Sequence, residues 1–113
     1  MPNAILLDEH ISFRFKQLDK FQAFSMVREI SGASYEHDLE NNHYLGFIPL
    51  TPENFDIIND YFVQQRIALS DCDIHITLNN AVQNPTKTIV IPTIVNRMLK
   101  YIDCQLSFSV NDK

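Results

Sequence analysis

The sequence predicts a single α+β domain on two observations. Several stretches alternate apolar and polar residues strictly, and three others repeat apolar residues at helical spacing. Length agrees: 113 residues, 45% of them hydrophobic and including eight Phe and four Tyr, fill one core but not two. The domain is expected to span 1–113, with a core over about 11–78 and a β/α/β extension over about 86–110.

The first alternation is "ISFRFK" at 11–16. Ile11, Phe13 and Phe15 face one way and Ser12, Arg14 and Lys16 the other, as in a half-buried strand. Asp19 then caps a helix from Lys20 to about Ser31. Its expected inward stripe is Phe21, Phe24, Val27 and Met26 with Ile30, and Gly32 stops it. Next, "YEHDLENNHYLGF" at 35–47 reads as a hairpin turning at Asn41-Asn42, because Asn tolerates positive φ. That turn pairs Glu40 with His43, Leu39 with Tyr44 and Tyr35 with Ile48. It puts His37 among Tyr35, Leu39, Tyr44 and Ile48, and Glu36, Asp38 and Glu40 beside His43, Leu45 and Phe47.

"TPENFDIINDYFVQQR" is the clearest helix. Thr51 caps, Pro52 takes the first helical position and Glu53 suits the dipole, while Phe55, Ile58 and Phe62 with Ile57 and Tyr61 form the buried stripe. In "CDIHITL" at 72–78, Cys72, Ile74, Ile76 and Leu78 point inward and Asp73, His75 and Thr77 outward. The order so far is β-α-β-β-α-β, which with helices on one face of an antiparallel sheet is a ferredoxin-like plait. The first and third strands are expected to be central, the fourth beside the first and the second beside the third. A loop over 79–87 and a short strand at "TIVI" follow. Pro92 opens a third helix carrying Ile94, Val95, Met98, Leu99 and Ile102, and "CQLSFSV" alternates Cys104, Leu106, Phe108 and Val110 with polar neighbours. This tail is too apolar to stay free, so it extends the sheet or covers its open face.

Charge and composition narrow the function. Nine basic against fourteen acidic side chains give a net charge of −5, which opposes binding to a nucleic-acid backbone. In the RNA-binding version of the plait, aromatics on the two central strands stack bases. Here the first central strand exposes Arg14 and Lys16, and the other offers only Phe47. Two glycines leave no phosphate-cradling loop, and there is no GxSxG, HExxH or dinucleotide fingerprint. Cys72 and Cys104 are far apart in sequence with no CxxC, so buried free thiols are expected. "MPNAILLDEH" has a short apolar run and no basic start, so neither a secretory signal nor a membrane span is expected and the location expected is a reducing cytoplasm.

The densest set of possible ligands is Glu36, His37, Asp38, Glu40 and His43. A metal needs its ligands to converge, and strand alternation puts His37 on the face opposite Glu36, Asp38 and His43, so no metal or other cofactor is expected. Asp71, Asp73 and His75 share a strand face, which is also what any solvent-facing strand presents.

His75-Ile76-Thr77-Leu78 resembles the His-x-Thr-hydrophobic element of the two-histidine phosphoesterases, a family that needs two such elements. "HIS" at 10–12 approximates the second. That resemblance implies an enzyme in which His75 and Thr77, with His43 or His10 and with Arg14 and Lys16, act on an anionic substrate. In size, acidity and lack of catalytic motifs the chain is also similar to small bacterial immunity proteins. This similarity implies a non-enzymatic inhibitor that binds a basic toxin or nuclease. The second implication is the one the residues favour. Glu36, Asp38, Glu40, Asp71 and Asp73 would steer the partner, and Tyr44, Leu45 and Phe47 beside His43 would anchor it. A dimeric sensor or regulatory domain is a further alternative.

Overall fold

A computed structural model describes residues 8–79 and 90–111. These form strand β1 (Asp8–Leu18), helix α1 (Lys20–Glu29), β2 (Ser34–Asp38), β3 (His43–Pro49), α2 (Phe55–Gln64), β4 (Cys72–Asn79), α3 (Thr93–Tyr101) and β5 (Gln105–Asn111). The strands make one sheet in the order β2-β3-β1-β4-β5. Pairing is antiparallel for β2–β3, β3–β1 and β1–β4, but parallel for β4–β5. The expected all-antiparallel sheet is therefore corrected to a mixed five-stranded one. The tail extends the sheet rather than covering its open face, and a helical crossover is what lets β5 run parallel to β4. The loop expected over 79–87 lies outside the described residues except for Asn79, which ends β4. Of "TIVI", only Val90 and Ile91 are described, and neither is in a strand.

One apolar cluster unites the helices with one face of the sheet. Phe13 and Phe15 of β1, Ile48 of β3 and Ile74 of β4 pack with Ala23 and Met26, with Ile58 and Tyr61, and with Val95, Met98 and Ile102. Alternation thus places β1, β3 and β4 as their patterns predict, and a register shift in β1 between Phe15 and Leu18 turns Leu18 inward as well. Asp19 caps α1 with a reciprocal box: its carboxylate accepts from the Gln22 amide at 2.8 Å, and the Gln22 side chain accepts from the Asp19 amide at 2.9 Å. Tyr61 of α2 then donates to the Gln22 carbonyl at 2.6 Å, tying the two helices together.

The first helix departs from expectation in its buried face. Met26 and Ile30 are buried as expected and Ala23 joins them, whereas Phe21 is 82% exposed and Phe24 and Val27 are about 40% exposed. The cause lies in the sheet. A Cβ on Gly46 would sit 2.7 Å from Met26 Sδ and 2.9 Å from Leu18 Cδ1, so β3 carries a glycine where the Met26 and Leu18 side chains press on it. Small Ala23 and flexible Met26 suit that approach better than three large side chains would. Gly46→Ala is expected to cost about 1–3 kcal/mol through overpacking. An unchanged urea midpoint would mean that Met26 swings aside freely. The helix also stops earlier than expected, with Ile30 as its C-cap and Gly32 (φ +80°) in the turn beyond.

The α2 start is shifted too. Thr51 does accept from the Asn54 amide at 3.3 Å, but residues 52–54 form a turn and the helix begins at Phe55. Buried Asn54 explains this onset, since its side chain donates to the carbonyls of Ser31 (3.0 Å) and Pro49 (3.1 Å) and pins the turn to the loop after α1 and to the end of β3.

Candidate functional site

The β2–β3 hairpin forms one edge of the molecule. Its register pairs Asp38 with His43, His37 with Tyr44, Glu36 with Leu45 and Tyr35 with Gly46, two residues away from the expected pairing. Asp38 causes the difference. Its carboxylate accepts from the amides of Glu40 (3.1 Å) and Asn41 (3.3 Å) and from the Asn41 side chain (3.0 Å), so residues 39–42 become a four-residue turn. Asn42 supplies the positive φ, at 54°. A shift of two preserves which face each strand side chain occupies. His43 therefore contacts Asp38 (3.4 Å) rather than Glu40, which together with Leu39 lies in the turn. The hydrogen bonds from Asn41, side chain first, hold the Asp38 carboxyl below its ordinary range.

On the helix-facing side of this edge the aromatic side chains touch one another. His37 stacks on Tyr44 at 4.2 Å, Tyr35 meets Tyr44 at 5.5 Å, and Phe24 of α1 meets Tyr35 at 5.5 Å and Tyr44 at 6.2 Å. Leu39, 81% exposed, lies in the turn at the end of this edge, whereas Phe21, 82% exposed, borders a different depression with Gln22, Ser25 and Gln65. Lys20 lies over the Phe24 ring at 5.7 Å. Phe24, Val27, Arg28 and Tyr35 line a shallow depression of about 300 Å³. The opposite face of the hairpin carries Glu36 and Asp38 beside half-buried His43, Leu45 and Phe47. Of the residues expected here, Tyr44, His43, Leu45, Phe47, Glu36, Asp38 and Glu40 are therefore on one hairpin. Phe24, Val27 and Tyr35 were not among them, and for the two on α1 the helical periodicity pointed inward.

The other two expected acidic residues lie elsewhere. Asp71 ends a 3₁₀ turn (Leu69–Asp71) before β4. Asp73, expected to face solvent, is only 3% exposed, because β5 lies alongside β4. Arg14 grips Asp73 with two bonds (Nε to Oδ1 2.7 Å, a terminal nitrogen to Oδ2 2.5 Å), and Ser107 donates to Oδ2 at 2.9 Å. Burial pushes the Asp73 carboxyl up, but the bonds from Arg14 and Ser107 outweigh it and hold it below its ordinary range. His75 continues the network, with Nδ1 2.7 Å from Ser107 Oγ and Nε2 3.0 Å from Ser109 Oγ. Desolvation, then the Arg14 charge, lowers the His75 pKa, so the ring is neutral near pH 7. The set is a polar clasp holding β5 against β4 and β1.

The register also brings the two His-x-Ser/Thr tracts together, with His10 opposite Thr77 and Ser12 opposite His75. Cys72 and Cys104 are free thiols, and burial pushes them up to about 12 and about 11, away from nucleophilic reactivity. Among the described residues, no group of three or more His, Cys, Asp or Glu side chains could hold a metal ion, and no helix is long and apolar enough to cross a membrane. Comparisons with protein-family models, with curated proteins and with solved structures found no match.

Proposed function

We propose that the chain is a non-enzymatic interaction module that docks a basic protein on the edge formed by α1, β2 and β3, in the manner of a small immunity-type inhibitor. One observation carries this reading: the edge strand β2 presents mutually touching, partly exposed aromatics on one face and the carboxylates of Glu36 and Asp38 on the other. Exposed aromatics in contact are the usual anchors of a protein interface, and neighbouring charges raise the encounter rate. Supporting the fold expectation, β1 lies between β3 and β4 and β2 lies outside β3, all antiparallel. We therefore read β1–β4 with α1 and α2 as a ferredoxin-like plait extended by α3 and β5. The two free thiols fit a reducing cytoplasm. Capture from the native host tests the assignment. Proteins held by the wild type are expected to be lost with Phe24→Asp or Leu39→Asp and kept with Val63→Asp, an exposed position on α2. Equal capture by all three variants would remove the patch from the reading.

A second reading, a phosphoesterase-like enzyme, is favoured by the register that juxtaposes His10-Ile11-Ser12 with His75-Ile76-Thr77. His10 and Ser12 also border a depression of about 250 Å³. Against it, both His75 nitrogens already meet serine hydroxyls. Phosphodiester hydrolysis that disappears in His75→Ala would favour the enzyme, and no hydrolysis by the wild type would close this branch.

A further inference from the structure

We propose, resting on the interaction reading above, that the partner adds a β-strand to the outer edge of β2, and that this strand is amphipathic, basic on one face and apolar on the other. Among the described residues β3 is the only strand paired with β2, so alternate backbone N–H and C=O groups of β2 point outward from the sheet. Ser34–Asp38 contains no Pro or Lys and its five pairs with β3 run without a bulge, so the edge is guarded only by its shortness and by the carboxylates of Glu36 and Asp38, which repel an acidic strand but not a basic one. An incoming strand would satisfy those groups and carry its own side chains alternately onto the two faces.

Charge then dictates the alternation. On the open face the incoming side chains meet Glu36 and Asp38, with Glu40 beyond in the turn, and a basic residue complements them. On the helix face they meet Tyr35 and His37, backed by Tyr44 and Phe24. There Lys20 already lies over Phe24 and Arg28 borders the depression, so a second cation is repelled and an apolar side chain fits. A second copy of this chain fits poorly. Pairing β2 with its own copy so that both sets of helices lie on one side brings open-face residues 34, 36 and 38 opposite one another, and centred registers oppose carboxylates. The other edge strand, β5, has no charged side chain from 105 to 110 and offers a basic strand nothing to select.

A synthetic peptide of about ten residues alternating Lys and Val is the probe, titrated into the full-length isotope-labelled protein. Its controls are a peptide of the same composition with Lys and Val in blocks, and the alternating peptide with one central proline. Strand addition predicts that the alternating peptide slows exchange of alternate β2 amides and shifts Tyr35 and Phe24. It also predicts affinity about tenfold weaker with the proline peptide and with Glu36→Lys/Asp38→Lys. Equal binding of block and alternating peptides, with β2 exchange unchanged, would overturn strand addition while leaving docking of a basic partner intact. Protection of β5 amides instead would overturn the choice of edge. Failure of every peptide to bind would also overturn strand addition, and the patch variants in the host capture would then judge the interaction reading separately.

Discussion

Phe15→Ala is expected to destabilise the fold by about 3–5 kcal/mol, a large share of the roughly 5–15 kcal/mol typical of a whole domain. Phe15 lies on the central strand with no exposed surface, its ring 5.2 Å from Phe13 and 5.4 Å from Tyr61. Removing it opens a cavity between β1 and α2 that rigid neighbours on both sides cannot fill. Chemical denaturation should show the midpoint falling with an unchanged slope. The informative control is Phe21→Ala, on the residue that helical periodicity placed inward. At 82% exposure it is expected to change stability by less than about 0.5 kcal/mol. Equal losses for the two variants would contradict the packing of α1 described above.

Asp73→Ala carries the second large effect, about 2–4 kcal/mol, because it leaves the half-buried Arg14 guanidinium without its bidentate partner and Ser107 without its acceptor. The cost belongs to the broken pair rather than to the pair's net worth. Replacing both members, as in Arg14→Met/Asp73→Leu, is expected to cost less than Asp73→Ala alone. The pH dependence follows from the lowered carboxyl. Asp73 contributes stability that is fully present above the ordinary unfolded-state value of about 3.9 and is lost as pH falls through its depressed folded value. Wild type should therefore lose stability in acid below about pH 4, and Asp73→Asn should flatten that slope. An identical acid profile in the two proteins would mean that the clasp does not hold β5.

How far these features were legible in the sequence differs from element to element. Strand alternation survived folding because a two-residue slip in a hairpin leaves every side chain on its face. Glu36 and Asp38 therefore stayed beside His43 although the turn was wrong by two. The slip came from a local competition in which Asp38 captured two amides of the turn, and neighbouring residues alone do not rank that against an Asn-Asn turn. On α1 two apolar stripes lie side by side, Ala23-Met26-Ile30 and Phe21-Phe24-Val27. Hydrophobicity alone takes the bulky Phe21, Phe24 and Val27 inward together with Met26 and Ile30, and leaves out Ala23. The choice was made by Gly46, a residue of another strand, which admits the close approach of Met26. The clasp was out of reach for a different reason. Arg14, Asp73 and His75 were all placed on the correct face, but the partners that bury Asp73 come from β5, whose parallel place beside β4 no periodicity encodes.

Docking of a basic protein on the acidic and aromatic edge of the hairpin, as proposed above, would be accelerated by the charge of Glu36 and Asp38. Its most direct test is the association rate of a host protein captured by the wild type, measured across about 50–500 mM salt for the wild type and for Glu36→Lys/Asp38→Lys. Docking on this edge predicts a rate that falls steeply with salt and drops about tenfold or more on charge reversal, while the matched reversal Glu53→Lys/Asp56→Lys at the start of α2 leaves it nearly unchanged. A rate indifferent to salt and equal in all three proteins would contradict it.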